Sequence, residues 1–312
     1  MSAASWIADA PMAPLVTYRV GGRAAWLVTA TGIEDLLEVA RRRAGREVLV
    51  VGRGSNLLVA DAGFDGIVVQ LGESFASLER SGDAVEDASG GADVVAGGAA
   101  LLPVVARRTV VWGLTGFEWA VGVPGSIGGA VRMNAGGHGS DMARSLVGVR
   151  VVDLASGEDV EVAAPDLGLS YRRSNLRADQ AVVRATLRLF PGDPEAGEAQ
   201  IAEIVRWRRE NQPGGQNAGS VFTNPPGDSA GRLIDEAGCR GLRVGSAEVS
   251  TKHANFIQAD VHGLADDVFS VMVEVARRVR DVHGVDLHPE TRLVGFPDFA
   301  TAVSGGWPEV PS

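Results

Sequence analysis

Apolar and polar positions change their spacing several times along the chain, and each change marks a predicted element. Ile33, Leu36, Leu37 and Ala40 recur at helical spacing behind Thr31 and Glu34, a pair that reads as a capping box. Glu47-Val-Leu-Val-Val51, Leu57-Leu-Val59 and Ile67-Val-Val-Gln-Leu71 are short apolar runs rich in β-branched residues and read as strands. The stretch from Leu15 to about Leu71 is therefore expected to be a small α+β unit. Beyond it, Val94-Val95, Val149-Arg-Val-Val152 and Ala181-Val-Val183 alternate with turns around one helical piece, Leu101 to Arg108. That pattern predicts a second, larger α+β lobe ending near Phe190.

Pro191-Gly-Asp-Pro194 interrupts the pattern, and Ile201, Ile204, Val205 and Arg208 line one helix face after it. Asp228 to Ala237 reads as a helix stopped by Gly238, while Val268, Met272, Val275, Ala276 and Val279 form an apolar stripe. Asn255-Phe-Ile-Gln258 and Arg292-Leu-Val-Gly-Phe296 are expected to complete one sheet with helices on one face. The division that follows has lobes at 1–72 and 73–194, a third domain at 195–300 and a flexible tail at 301–312.

Composition narrows the function. A chain of 312 residues is long enough for two or three cores, and a net charge of -10 argues against a nucleic-acid binder. An anionic ligand must be met by local positive charge rather than by global steering. The lone Cys239 excludes an internal disulfide, and the five histidines lack zinc-ligand spacing, so no metal site is expected. The first ten residues lack the basic and apolar regions of a signal peptide, and no later run is long enough to span a membrane. A cytoplasmic protein is expected. Lys252 is the single lysine beside many arginines.

Two glycine-dense segments suggest a bound dinucleotide. Gly52-Arg53-Gly54-Ser55-Asn56 and Gly122-Val-Pro-Gly125-Ser126-Ile-Gly128-Gly129 offer small residues and backbone N–H donors to a phosphate. Neither matches the Rossmann fingerprint or the P-loop. The first segment runs from strand to strand, so loop amides, rather than a long helix, would hold the anion.

These segments stand in order with Thr17-Tyr-Arg-Val-Gly-Gly22, Met133-Asn-Ala-Gly136, Tyr171-Arg-Arg-Ser174, Ala218-Gly-Ser-Val-Phe222 and Pro289-Glu290. In that order the chain resembles the UDP-N-acetylenolpyruvoylglucosamine reductases, flavin enzymes of peptidoglycan synthesis, from about residue 15 to Phe296. The resemblance implies an α+β fold: a two-lobed FAD-binding unit of the vanillyl-alcohol oxidase type plus a C-terminal α+β substrate domain. It implies noncovalent FAD, with His138 a surface or hydrogen-bonding group rather than an attachment point. Gly52, Gly54, Ser55, Asn56, Gly125, Ser126, Gly128, Gly129 and Asn134 would hold the cofactor. Hydride would pass from NADPH, by way of the flavin, to the terminal alkene carbon of the enolpyruvyl ether of a UDP-sugar.

Three residues match the family's catalytic positions. Arg172 would hold the substrate carboxylate, and Arg173 would face the other way if this is a strand. Ser220 would protonate the enolate-like intermediate, a task that a weakly acidic hydroxyl manages only if well placed. Glu290 would sit near the carboxylate, where a raised pKa would let it donate. Tyr171, Asn224, Lys252 and Arg292 are expected to contact substrate. Thr223 stands where many relatives carry lysine, and Asn211 where many carry a basic residue, which weakens the diphosphate assignment. The chain lacks the longer tyrosine-bearing insertion of one subgroup, and a monomer is expected. Two other readings stay open: a flavin-dependent oxidase or dehydrogenase of the same superfamily, and an inactive UDP-sugar or flavin-binding regulator.

Overall fold

The computed structural model describes residues 5–80 and 90–308. Residues 1–4 of the leader reading and 309–312 of the expected tail lie outside them. In chain order the elements are β1 (Ser5–Pro11), β2 (Arg23–Ala30), α1 (Ile33–Arg42), β3 (Val48–Val50), β4 (Leu57–Val59), β5 (Phe64–Leu71), β6 (Leu78–Arg80), β7 (Ala92–Gly97), α2 (Leu102–Val111), β8 (Leu114–Thr115), α3 (Ile127–Met133), β9 (Gly136–Gly137) and β10 (Ser140–Asp141). They continue as β11 (Leu146–Asp153), β12 (Asp159–Ala163), β13 (Gln180–Pro191), α4 (Pro194–Asn211), α5 (Ala230–Glu236), β14 (Arg243–Val244), β15 (Ala247–Val249), β16 (Ile257–Ala259), α6 (Ala265–His283), β17 (Arg292–Val294) and α7 (Phe299–Thr301).

The chain divides into two compact units, neither of them continuous in sequence. One holds residues 1–8, 26–53 and 66–208; the other holds 9–25, 54–65 and 209–312. In the first, strands run in the order β12-β11-β13-β7-β6, with β8 on β13. The pairings are antiparallel, as in Val149 opposite Ala185 and Ala185 opposite Ala96. Buried Leu102, Val105, Ala106 and Val110 of α2 and Ile127, Ala130 and Val131 of α3 join the inward residues of that sheet in one core. A second core gathers Leu36 and Val39 of α1 with Val48, Ile67, Val69, Val152 and Val183. There β3 and β5 pair in parallel, Leu49 opposite Val68.

The start of α1 differs by one residue from the expected capping box. Asp35, not Glu34, receives the N–H groups of Thr31 (2.6 Å) and Gly32 (3.2 Å) and the Thr31 hydroxyl (2.8 Å). With Gly32 at the N-cap, Asp35 is the third helical residue, the position from which a side chain reaches back.

In the second unit, β14, β15 and β16 form an antiparallel sheet, and α6 buries Val268, Met272, Val275, Ala276 and Val279 as its stripe predicts. The helix lacks a cap from its own N-cap residue, Leu264. Asp61 supplies one from another part of the chain, accepting from Ala265 (3.1 Å) and Asp266 (2.9 Å), while Asp266 accepts from the Asp61 N–H (3.1 Å). Gly238 follows α5 at a φ of +69°, as a helix stop should.

Two expectations are corrected here. Residues 292–294 do not join the sheet of 257–259; β17 pairs in parallel with β4, Leu293 opposite Leu58. Three-residue strands carry no sequence signal that names a partner. The chain from 301 to 307 is also docked rather than loose. Arg277 donates to the carbonyls of Ala302, Val303 and Trp307, at 3.0, 3.1 and 3.0 Å. The Trp307 indole donates to the Ser270 hydroxyl (2.9 Å) and packs edge-on against Phe269, 4.7 Å between ring centroids.

Trp307 is half-buried, so Trp307→Ala should cost about 2 kcal/mol of stability, below the range for a fully buried tryptophan. Urea unfolding monitored by circular dichroism reads this; an unchanged midpoint would show that the segment does not depend on the indole.

Candidate active site

Ser220 and Glu290, seventy positions apart in sequence, meet along the backbone of the second unit. The Val221 carbonyl accepts from the N–H groups of Glu290 (2.7 Å) and Thr291 (3.3 Å), Phe222 pairs with Pro289, and the Thr223 N–H donates to the His288 carbonyl (2.9 Å). The turn before Ser220 is built locally. Gly219 takes a φ of +78°, and its N–H is held by the Asn217 side chain (3.0 Å). Val221 and Phe222 behind it are fully buried, which fixes the serine to a rigid element.

Asn56 closes the other side of Glu290. Its side-chain amide donates to the Glu290 carbonyl (3.0 Å), and its own carbonyl accepts from the Arg292 N–H (3.0 Å). These bonds lead directly into the pairing of β4 with β17. Gly54 packs closely against the Leu15 carbonyl, and its own carbonyl accepts from the Thr17 N–H (3.2 Å). The Thr17–Gly22 motif thus braces the Gly54–Asn56 segment, a role that only its proximity in space reveals.

In the first unit, Gly52 faces Ser126: a Cβ on Gly52 would come within 2.6 Å of the Ser126 Oγ. The two glycine-dense segments are therefore in contact there. Gly125 takes a φ of +143°, and Ser126, at the N-cap of α3, makes no side-chain bond to its own helix. Gly128 fits closely against the backbone of Gly98, whose carbonyl accepts its N–H (2.9 Å). Residues 122–133 contain no carboxylate. The Ile127 and Gly128 N–H groups at the start of α3 are taken by the Ala100 and Gly98 carbonyls (2.9 Å each), which leaves the Ser126 hydroxyl and the lack of a nearby carboxylate in the segment as the features that suit the anionic pyrophosphate of FAD. His138 packs its ring against Gly122 and edge-on to Trp207, 5.2 Å between centroids.

Arg172 lies in a tight turn, not a strand. Ser170 and Arg173 exchange backbone hydrogen bonds of 3.0 Å each, leaving Tyr171 and Arg172 at the tip. The expected alternation of Arg172 and Arg173 is thereby corrected, because two turn residues replace a pleat. Arg172 has a φ of +56°, a conformation costing an ordinary residue about 1 kcal/mol or more. Its guanidinium lies 5.5 Å from the centre of the exposed Tyr171 ring. The turn rests on α3: Asn134 donates to the Ser170 carbonyl (3.0 Å), and the Ser174 hydroxyl donates to the Arg132 carbonyl (2.7 Å). Asn134 is buried, left-handed at the end of α3, and also accepts from the Ala143 N–H (2.9 Å). Its amide thus supports the arginine turn.

Asn224 and Lys252 both serve helix ends. Asn224 accepts from Ala230 at the start of α5 (3.0 Å), and the Lys252 ammonium donates to the Arg209 carbonyl in the last turn of α4 (2.6 Å). One residue that the sequence offered only as part of a strand-like run stands out. Asn255, only 4 % exposed, grips both backbone groups of Phe222 with its side chain. The only sequence signal was an asparagine inside the apolar run Ala254-Asn-Phe-Ile257, where a buried amide must find partners.

Two family models match the chain: an FAD binding domain over residues 24–163, and the C-terminal domain of UDP-N-acetylenolpyruvoylglucosamine reductase over residues 211–294. The UDP-N-acetylenolpyruvoylglucosamine reductase of Rubrobacter xylanophilus is 41% identical over 293 residues, 93% of this chain and 95% of the relative. That of Paramagnetospirillum magneticum is 43% identical over 291 residues, 92% and 91%. The crystal structure of the Thermus caldophilus reductase matches with a TM-score of 0.77 at 34% identity, covering 93% of this chain and 98% of that one. Among the described residues no helix is long and apolar enough to cross a membrane.

Burial, with a neighbouring arginine in each case, holds His138 and His253 below the ordinary imidazole value of 6.5. Above that value both states of the chain carry neutral imidazoles. As pH falls through it, the unfolded chain takes up protons first, so stability should decrease. Urea midpoints between about pH 7.5 and about pH 5.5 test this. His253→Gln should remove part of the decrease, and a midpoint independent of pH would contradict it.

Proposed function

The chain belongs to the family of UDP-N-acetylenolpyruvoylglucosamine reductases, and on that premise we propose that it reduces UDP-N-acetylenolpyruvoylglucosamine to UDP-N-acetylmuramate with NADPH, in cytoplasmic peptidoglycan precursor synthesis. The observation that supports the reading most is the junction at Val221, the neighbour of Ser220 in sequence, whose carbonyl accepts from the Glu290 N–H within the stretch matching the family's C-terminal domain. The oxidase and regulator readings gain no support from the relatives. In the proposed organisation, lobes 1–72 and 73–194 hold the cofactor, 195–300 takes the UDP-sugar, and the working unit is a monomer.

Bound FAD supplies the hydride transfer between nicotinamide and alkene, and the segments Gly52–Asn56 and Gly125–Gly129 hold it. Addition of hydride to the terminal alkene carbon places negative charge on the neighbouring carbon and its carboxylate. The Arg172 guanidinium receives that carboxylate with two parallel donors and stabilises it more as charge accumulates. Its backbone sits on a strained turn braced by Asn134. Ser220 donates the proton to the carbanion-like carbon; the reaction strongly favours this transfer, so position matters more than acidity. The Glu290 carboxyl serves as the third catalytic group, beside the carboxylate and the developing enolate. Tyr171 and Arg292 are further substrate contacts, and Asn224 and Lys252 offer polar groups to the diphosphate where Thr223 and Asn211 replace the basic residues of many relatives.

Anaerobic stopped-flow separates the two halves of the reaction. The wild-type flavin should bleach with NADPH and recover its absorbance when the enolpyruvyl sugar is added, with the lactyl sugar formed. Ser220→Ala should bleach normally but recover roughly 100- to 10,000-fold more slowly, the usual contribution of a placed general acid. Arg172→Lys should slow recovery roughly 100-fold through loss of the paired donors. Unaffected turnover by Ser220→Ala would remove the serine from the mechanism, and reduced flavin indifferent to the sugar would remove the reductase reading.

A further inference from the structure

A serine hydroxyl that must deliver a proton depends on whatever holds its backbone. Behind Ser220 that holder is a side chain. The Val221 N–H donates to the Asn255 carbonyl (2.9 Å), and the Asn255 side chain then closes on the next peptide. Its Oδ1 accepts from the Phe222 N–H (3.0 Å), and its Nδ2 donates to the Phe222 carbonyl (2.8 Å). A neighbouring strand would normally supply that pair of bonds. Here an amide does so, because asparagine carries a donor and an acceptor side by side as a peptide does. Asn255 is 4 % exposed and Phe222 1 %, so neither group of Phe222 has water as a ready substitute.

The opposite edge of the same segment bears Glu290, whose N–H reaches the Val221 carbonyl. Residues 221 and 222 are therefore held from both sides, by Asn255 on one and by the Glu290 segment on the other. Asn255 is itself anchored: its N–H donates to the His253 Nδ1 (3.2 Å), and the Phe256 N–H donates to the His253 carbonyl (3.0 Å). The segment from Lys252 to Phe256 thus ends in a clamp on the catalytic segment.

We propose that Asn255 is a positioning residue that fixes the Ser220 hydroxyl for proton delivery to the reduced substrate carbon. The proposal rests on the reductase reading. Asn255 itself touches no reacting atom and acts only through residues 221 and 222. Aspartate in its place lacks the donor to the Phe222 carbonyl, and serine spans only one of the two groups. Either change frees the Ser220 turn, and displacement by about 1 Å is enough to slow a positioned reaction roughly 100-fold.

The test uses flavin-loaded Asn255→Asp and Asn255→Ser in the same stopped-flow experiment, alone and combined with Ser220→Ala. Flavin reduction by NADPH should stay within about twofold of wild type, while reoxidation by the enolpyruvyl sugar should fall roughly 10- to 100-fold, in kcat rather than KM. The solvent deuterium isotope effect on reoxidation should rise, because protonation becomes limiting. In the Ser220→Ala background the same substitutions should add almost nothing, since the group they position is gone. The proposal is overturned by equal losses in both half-reactions, by losses that add to that of Ser220→Ala, by unchanged reoxidation, or by failure of both variants to accumulate as folded flavoprotein. A wild-type protein that does not reduce the sugar removes the parent reading as well, and so is distinguished from failure of the clamp alone.

Discussion

The parallel pairing of residues 57–59 with 292–294 is the contact on which the Ser220–Glu290 junction depends. Its partners are separated by more than two hundred positions, so closing it costs chain entropy that local bonds do not repay. Burial of Leu57, Leu58 and Val59 offsets part of that cost. The exchange between Asp61 and the start of α6 adds a second tie just beyond the strand. Once the pairing is made, Asn56 and Val221 hold residue 290 between them. The backbone of Glu290, two residues before β17, is thereby held on both sides.

A parallel economy operates in the first unit. The end of α3 carries Asn134, and the sequence motif around it suggests a contact with flavin. Its amide reaches Ser170 and Ala143, so the helix that follows the Gly125–Gly129 segment also carries the strained turn of Arg172. Changes in α3 would be felt at the turn through Arg132 and Asn134.

The sequence revealed periodic elements well and their partners poorly. The stripe of α6, the valine-rich strands and the stop at Gly238 follow from spacing and glycine chemistry, which are local. The partner of β17 was illegible because Arg292-Leu-Val294 fits any apolar neighbour equally. The turn at Arg172 is illegible in the sequence because an arginine at positive φ has no signature; only the bonds between Ser170 and Arg173 impose it. Trp307 was read as tail because its docking depends on Arg277, a residue that resembles any other basic position on a helix. Ordered motifs single out Ser220 and Glu290 as candidates, whereas the bonds of Asn255 are illegible because they go to backbone, which sequence does not display.

The bond between Lys252 and the Arg209 carbonyl has a practical consequence. With one lysine in the whole chain, amine-directed chemistry can modify a single side chain besides the terminal amine. Acylation of that ammonium would remove the charge at the end of α4 and disturb its bond to Arg209. The extent of labelling, read by mass spectrometry, therefore reports the state of one helix end in an otherwise silent protein.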